Sequence, residues 1–390
     1  MLVRYKKGDN GKNIAVAKIY NRKEHGIDFK SIDLDALWVV RKLKQSGFEA
    51  YIVGGAVRDL LIGCQPKDFD IATSATPRQV QRNFWNARVI GKRFKLVHLF
   101  FKDKILEVST FRSGEDLAKE GTSLYGTIDQ DAKRRDFTLN SLYYDPTDGQ
   151  LYDFNDALID IKKKRIRSIL ELPNSFIEDP VRMIRAVKYS VTTNFSLQGQ
   201  IKRAIKKHHR QLSLVSTSRL TEEVGKIICS YDAAKILAEL EKYRLLIYML
   251  PVLSRHSKRE EVFNKVAQFE QELQKDRLAY QVIDTSFKAV MLSILTKDLL
   301  NWPEEYESLT ILFKDIFKQV KALISPTTFA NYDVQRCVVI LFNEKNLQVP
   351  KQALHARRPK GQPGTKGFKK TQESSRRGKR GSAQKRRKLN

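Results

Sequence analysis

Cysteine is scarce: the 390 residues hold three, Cys64, Cys229 and Cys337, far apart. They form neither a disulfide framework nor a zinc pattern, so a reduced, cytoplasmic setting is expected. No run of about 18 apolar residues occurs, so no membrane-spanning helix is expected. The opening stretch MLVRYKKGDNGKN lacks an apolar core, so no secretory signal is expected. Acidic residues are in deficit, with 44 Asp+Glu against 72 Lys+Arg and a net charge of +28. That excess points to a polyanionic partner, nucleic acid before an anionic membrane surface. Apolar residues make up 41%, enough for a core, which excludes wholesale disorder. The charge is uneven: residues 357–390 carry 14 Lys+Arg and one acid, Glu373. The rest of the chain is basic as well.

Residues 1–31 are polar and weakly periodic and read as a basic arm. From Ile32 the residues Leu34, Leu37, Val40 and Leu43 recur at helical spacing up to Gly47, a residue suited to a helix C-terminus. Ala50-Tyr-Ile-Val53 reads as a buried strand, broken by Gly54-Gly55 and followed by one or two helical turns. Asp68–Thr73 reads as a second strand, and Thr76-Pro77 opens a helix. Residues 87–91, 93–101 and 104–110 read as further strands. His98, in an alternating strand, reads as a packed or hydrogen-bonded sheet residue. Residues 113–132 show no period and read as a mobile loop near the site the strands build. From Phe176 to about residue 345 the pattern is helical. After about Lys351, Lys, Arg, Gly, Ser and Gln dominate, a composition that cannot fold alone.

The most specific local pattern is Tyr51-Ile-Val-Gly-Gly-Ala-Val-Arg-Asp59 followed by Lys67-Asp-Phe-Asp-Ile71. Two carboxylates two apart on a strand share a face and repel unless a cation lies between them. Mg²⁺ suits such a pair, because it is held by one or two carboxylates together with substrate phosphates. The Gly-Gly turn lets backbone amides approach phosphate oxygens, and Arg58 adds a charged contact. Glu107, on a neighbouring strand, is the candidate third carboxylate. Asp179 and Arg182, three apart, would share a helix face.

In order, the stretches YIVGGAVRDLLIG (51–63), KDFDIAT (67–73), EVSTFR (107–112), RRDFTLNSLYYD (134–145) and EDPVRMIRAVKYS (178–190) resemble the class II nucleotidyltransferase family. That family comprises bacterial tRNA CCA-adding enzymes and poly(A) polymerases. The resemblance implies an α+β chain. It would have a polymerase β-like mixed-sheet head (32–168), a helical neck for base and RNA binding (169–250) and a helical body (251–350). A disordered basic tail (351–390) would follow.

The resemblance also implies metal ligands Asp68, Asp70 and Glu107 holding two Mg²⁺ ions, with Asp136 joining them in catalysis. Gly54, Gly55, Arg58, Arg112, Arg135, Asn140, Asp179, Arg182 and Arg185 would bind the nucleotide, ATP. In the stretch Val215–Val224, Arg219 and either Glu222 or Glu223 are kept, but Ser218 stands where many CCA-adding members carry Glu. That difference and Val89-Ile-Gly-Lys-Arg-Phe-Lys-Leu-Val-His-Leu99 resemble the poly(A) polymerase branch. The expected activity is template-independent, Mg²⁺-dependent addition of AMP to RNA 3′ ends. The alternatives are CCA addition to tRNA from CTP and ATP, or RNA binding without catalysis. Expected partners are RNA 3′ ends, ATP, and RNA-decay or RNA-chaperone proteins that the tail could engage.

Overall fold

The computed structural model describes residues 1–7, 13–91, 96–102, 104–113, 125–275, 286–351 and 354. The segment Lys92–Lys95, the centre of the loop at 113–132 and nearly all of the basic tail lie outside the described residues.

Nine strands form one sheet: β1 (Leu2–Lys7), β2 (Asn13–Tyr20), β3 (Ala50–Val53), β4 (Asp70–Thr73), β5 (Ala87–Ile90), β6 (Leu96–Phe100), β7 (Ile105–Thr110), β8 (Leu142–Asp145) and β9 (Gln150–Asp153). Their order is β1-β2-β9-β8-β3-β4-β7-β6-β5. Neighbours are antiparallel except β4 and β7, which run parallel.

Side chains alternate across a strand, and β3 divides accordingly. Ala50 and Ile52 join the large core with Ala36, Val39, Val40 and Leu43 of the helix Leu34–Gln45. Tyr51 and Val53 join a smaller cluster on the other face, with Ala72, Phe111, Ile128, Ala132 and Tyr143. Helices cover the first face and leave part of the second open, which is where the cleft described below forms.

The helix Leu34–Gln45 ends as its sequence predicts, with Gly47 at φ +83° just beyond it. The helix Pro77–Asn83 opens with a reciprocal cap between Thr76 and Gln79. Three local expectations are corrected. Residues 2–7 and 13–20 are not a free arm but strands, with β2 paired to β9 through Lys18↔Asp153 to Tyr20↔Leu151; the lysines of an edge hairpin hide its period from the sequence. The end of the aperiodic stretch is a helix, Ile128–Lys133, capped by Thr127 and Gln130. The strand carrying the acidic pair begins at Asp70, so Asp68 precedes it.

The remainder is helical, from Asn174–Glu178 and Val181–Thr193 through Thr217–Ile228 to Asn331–Glu344, apart from the short strand Ser196–Leu197, which pairs in parallel with Arg165–Ile166. Helix Val181–Thr193 buries Val181, Met183, Ile184, Ala186 and Val187. Its opposite face carries Arg182, Arg185 and Tyr189, spaced by three and four residues as one helical stripe requires. Among the described residues no helix is long and apolar enough to cross a membrane.

Candidate active site

A cleft of about 870 Å³ lies between the open sheet face and the first helices of the second half. Seven arginines and five carboxylates line it. The register Ile71↔Val108 sets Asp70 beside Glu107 on adjacent strands. Both lie on the cleft wall with Ser109. Glu107 faces His98 across the antiparallel pair, with His98 Nε2 at 3.3 Å, so His98 is the sheet residue its sequence suggests.

Asp70 is reachable from the cleft, yet the protein around it thins the water that would solvate its charge. Burial, then the negative charges of Glu107 and Asp68, raise its carboxyl to about 6, against the opposing charges of Arg135 and Lys226. A carboxylate held at that cost is suited to a cation. Asp68 stands at the rim and lines a separate shallow pocket with Asp33 and Lys104. Among the described residues no three His, Cys, Asp or Glu side chains close into a metal cage. The hard oxygen donors of Asp70 and Glu107 nonetheless fit Mg²⁺, which keeps waters and takes further ligands from phosphates.

The Gly-Gly turn bends the chain from β3 into the helix Gly55–Leu61. Gly54 has φ +71° and ψ −133°, a region only glycine occupies without strain. A Cβ there would lie 3.8 Å from both Asp70 Oδ2 and Arg135 Nη1. Those are ordinary van der Waals distances, so Gly54→Ala should destabilise the protein by about 1–3 kcal/mol through backbone strain alone. Thermal melts check this, and a wild-type melting temperature would refute it.

The arginines are held individually. Arg58 donates to Asp59 Oδ1 at 2.8 Å and to Asn140 Oδ1 at 3.1 Å, and lies 5.4 Å from the Tyr189 ring centre. Arg135 donates to the Tyr143 hydroxyl at 3.0 Å, the Asn140 carbonyl at 3.2 Å and Asp131 Oδ2 at 3.1 Å. Asp131, almost fully buried, also accepts from the Tyr143 hydroxyl at 2.6 Å, Arg134 Nη2 at 2.6 Å and the Arg112 amide at 3.1 Å. Burial alone would raise the Asp131 carboxyl, but Arg135, Arg134 and these hydrogen bonds outweigh it and hold it at about 2. Asp136 is buried; its Oδ1 accepts from the Phe137 amide. Its Oδ2 lies 3.0 Å from Arg185 Nη2 and is itself buried, with the guanidinium's charge beside it but no N–H aimed at it.

Asp179 and Arg182 reach the cleft differently from the expected shared helix face. Asp179 precedes Pro180, and a residue before proline is pushed out of helical conformation. It sits at φ −139° and ψ 87°, between Asn174–Glu178 and Val181–Thr193. Its Oδ2 accepts from Arg219 Nη2 at 2.8 Å. Arg182 Nη1 donates to the Ser175 carbonyl at 2.9 Å and hydroxyl at 3.1 Å. Glu222 and Glu223 both pair with Lys226, and Glu223 also with Lys188.

The cleft thus gathers Gly54, Gly55, Arg58, Asp70, Glu107, Arg112, Arg135, Asp136, Asn140, Asp179, Arg182 and Arg185, and leaves Asp68 at its rim. Asp131, Arg134, Tyr143, Tyr189 and Arg219 belong to it or support it and were missed as site residues. Of these, Arg134, Tyr143 and Tyr189 lie inside the motif stretches 134–145 and 178–190, Arg219 lies beside the Glu-to-Ser departure, and Asp131 carried no sequence signal.

The sequence matches the profile described as "Poly A polymerase head domain" over residues 50–167. It matches "Probable RNA and SrmB- binding site of polymerase A" over residues 194–256. It is 37% identical over 252 residues to poly(A) polymerase I of Salmonella typhi, covering 61% of this chain and 54% of that one. It is 39% identical over 236 residues to poly(A) polymerase I of Haemophilus influenzae, covering 57% and 52%. It is 37% identical over 202 residues to a CCA-adding enzyme of Lactobacillus delbrueckii subsp. bulgaricus, covering 51% of each. The chain spans about half the length of the curated relatives it matches.

Among solved structures, it resembles the Bacillus stearothermophilus CCA-adding enzyme in complex with CTP (TM-score 0.53, 25% identity, 80% of this chain and 83% of that one). It also resembles a tRNA nucleotidyltransferase complexed with a primer tRNA and an incoming ATP analog (TM-score 0.56, 25% identity, 78% and 84%). The mixed-sheet head, the helical second half, the ordered motifs and these matches converge: residues 50–167 match the poly(A) polymerase head-domain family, and the chain as a whole resembles the class II tRNA nucleotidyltransferases and poly(A) polymerases.

Proposed function

We propose that the protein adds AMP from ATP to RNA 3′ ends without a template, releasing pyrophosphate. The observation that carries this reading is the pairing of Asp70 with Glu107 opposite an arginine-lined wall. The carboxylates sit where a cation and a nucleophile would meet, and the arginines where a triphosphate would lie. Asp70 and Glu107 would hold Mg²⁺, with Asp68 at the rim; when bound, the ion polarises phosphate oxygens and favours the ionised 3′-hydroxyl. Arg58 and Arg135 bind and orient the phosphates. Asp136, beneath the cleft wall, holds Arg185 by its charge at 3.0 Å and so keeps that guanidinium beside the nucleotide. Because these donors are already fixed by Asn140, Asp131 and Tyr143, charge developing in the transition state is met without reorganisation.

Asp179, steadied by Arg219, can accept from an exocyclic amine, and Arg182, steadied by Ser175, can donate to ring acceptors. Adenylate addition alone is supported by the longer match to poly(A) polymerase I and by Ser218. Addition of CCA is the second reading, supported by the likeness to CCA-adding structures.

The test supplies Mg²⁺ with ATP or CTP separately to a generic single-stranded RNA and to a tRNA lacking CCA. Long ATP-only extension of the generic RNA is expected. CTP-then-ATP addition confined to the tRNA would replace the proposal with CCA addition, and no incorporation would leave RNA binding. Arg219→Ala should free Asp179 and cut the ATP-over-CTP preference by roughly tenfold, about the worth of one charge-assisted hydrogen bond. An unchanged preference in single-nucleotide incorporation would rule that role out.

A further inference from the structure

The open face of the sheet does not end at the cleft. A row of side chains continues outward from Glu107 of β7 through His98 of β6 to Arg88 of β5, set by the registers His98↔Glu107 and Arg88↔His98. Alternation puts Leu96, Phe100 and Ile90 on the same face, while Val97 and Leu99 turn into the large core. Leu96 lines the nucleotide cleft, so the two surfaces are continuous. Neighbouring strands lie about 4.8 Å apart, which places β5 about 10 Å from the strand of Glu107.

The outer part of this face displays rings and a cation. Phe100 is 36% exposed and Ile90 43% exposed. The Arg88 guanidinium lies 5.3 Å from the Phe100 ring centre, and the His98 and Phe100 ring centres are 6.3 Å apart, edge to face. Trp85, in the turn leading into β5, is 92% exposed, more than any other large apolar side chain among the described residues. The next residue, Asn86, holds Phe100 at both its amide and its carbonyl. The Phe100 amide donates to the Asn86 carbonyl at 3.1 Å, and Asn86 Nδ2 donates to the Phe100 carbonyl at 2.9 Å. The rings are therefore carried on a fixed strand pair. Along β5, β6 and β7 the only acid is Glu107, at the inner end of the row.

Exposed rings beside an arginine, with no acid among them, suit a single strand of nucleic acid, because every base can stack on a ring whatever its identity. In-line displacement at an α-phosphate requires the attacking hydroxyl to arrive opposite the departing pyrophosphate. Gly54 and Arg135 stand on the β3 side of Asp70, whereas β6 and β5 lie beyond Glu107 on the other side. Resting on the nucleotidyl-transfer reading above, we infer that the outer face of β6 and β5 seats the last nucleotides of the priming RNA. Bases stack on Phe100 and, further out, on Trp85, and Arg88 takes a phosphate. This leaves the 3′-hydroxyl at Glu107 and Asp70. The surface lies on the sheet of the head, apart from residues 194–256, the stretch matched to the RNA- and SrmB-binding profile. It supplies a grip indifferent to sequence next to the chemistry.

The first test needs no turnover. A single-stranded RNA with 5-iodouridine two or three nucleotides from its 3′ end is bound to the full-length protein without ATP and irradiated. The base then bonds to a neighbouring aromatic ring as HI leaves. Peptide mapping should place the cross-link within residues 85–100; cross-links confined to other residues overturn the inference. The second test is kinetic. Phe100→Ala should raise the KM for RNA about tenfold, the worth of one stacked base, with the KM for ATP and the salt dependence unchanged. Phe100→Tyr, which keeps the ring, should return the wild-type KM. Arg88→Gln should raise the same KM and lower the slope of RNA affinity against salt by roughly 0.7, one lost phosphate contact. A wild-type KM for RNA in Phe100→Ala, or a loss that Phe100→Tyr shares, overturns the inference. A wild-type protein that cross-links within residues 85–100 but extends no RNA would keep the platform and reject the transfer reading.

Discussion

Asp70→Asn is expected to lower AMP incorporation by at least about 10³-fold, the scale of removing a principal charge-stabilising group from a preorganised site. The amide keeps the shape and one acceptor but loses the charge that would hold a cation beside Glu107. RNA affinity should stay within about twofold in the same variant, since the substitution removes no cation that could neutralise an RNA phosphate. Stability should move the other way. In the metal-free protein the Asp70 carboxyl is raised to about 6 by burial and by Glu107 and Asp68. Its charged form therefore works against the fold above that pH, and the effect fades as pH falls through 6 towards the ordinary carboxylate value. Asp70→Asn should melt higher than wild type at pH 7.5 without added metal, and the gain should vanish near pH 4.5. Activity within tenfold of wild type would dismiss Asp70 as the metal ligand. A lower melting temperature would dismiss the electrostatic account. Loss of activity with gain in stability is the trade expected where a site gathers like charges for a purpose.

The parts of this site that are local in sequence are legible there. The run from Tyr51 to Asp59 declares its strand, turn and helix because each piece rests on neighbours: apolar residues, then a glycine at positive φ, then Arg58 one helical turn on. Helix Leu34–Gln45 is legible for the same reason. The failures share a different cause. Asp68 and Asp70 look equivalent in a strand read from alternation, but the ladder with Val53 begins only at Asp70. Asp179 and Arg182 look like one helix face until the proline between them breaks the helix. The hairpin at residues 2–20 shows its strand character only through pairing with β9, more than a hundred residues away. Asp131 lies in a stretch without period, and its importance comes wholly from partners on other elements.

That residue carries the second large expected effect. Asp131→Asn would leave Arg135 and Arg134, both partly open to the cleft, facing a neutral amide at a buried position. Removing one partner of a fully buried ion pair costs about 3–5 kcal/mol, and less where the remaining charge reaches water, so a loss of about 2–3 kcal/mol is expected. Urea unfolding at pH 7 should show a loss of that order. The loss should depend on pH in a fixed direction. The carboxyl is held at about 2 in the folded protein against 3.8 ordinarily. Its contribution is therefore complete above pH 4 and disappears as pH falls through the interval down to 2. The gap between Asp131→Asn and wild type should be full at pH 7 and 5 and should narrow below pH 4. A gap that stays constant through that interval would show that the charge is not what matters.

Catalysis separates this role from plain stability. Arg135 depends on Asp131 and Tyr143 for its aim, and it is proposed to meet the triphosphate rather than the RNA. Below the melting temperature of the variant, the KM for ATP should rise roughly tenfold or more while the KM for RNA holds, since a misplaced charged donor forfeits about 1.5–3 kcal/mol of contact. Asp131→Glu, which keeps the charge but lengthens the arm, should recover most of the stability and only part of the ATP affinity. Equal recovery of both would make Asp131 a structural anchor alone. Recovery of stability without aim would identify it as the residue that points Arg135 at the nucleotide.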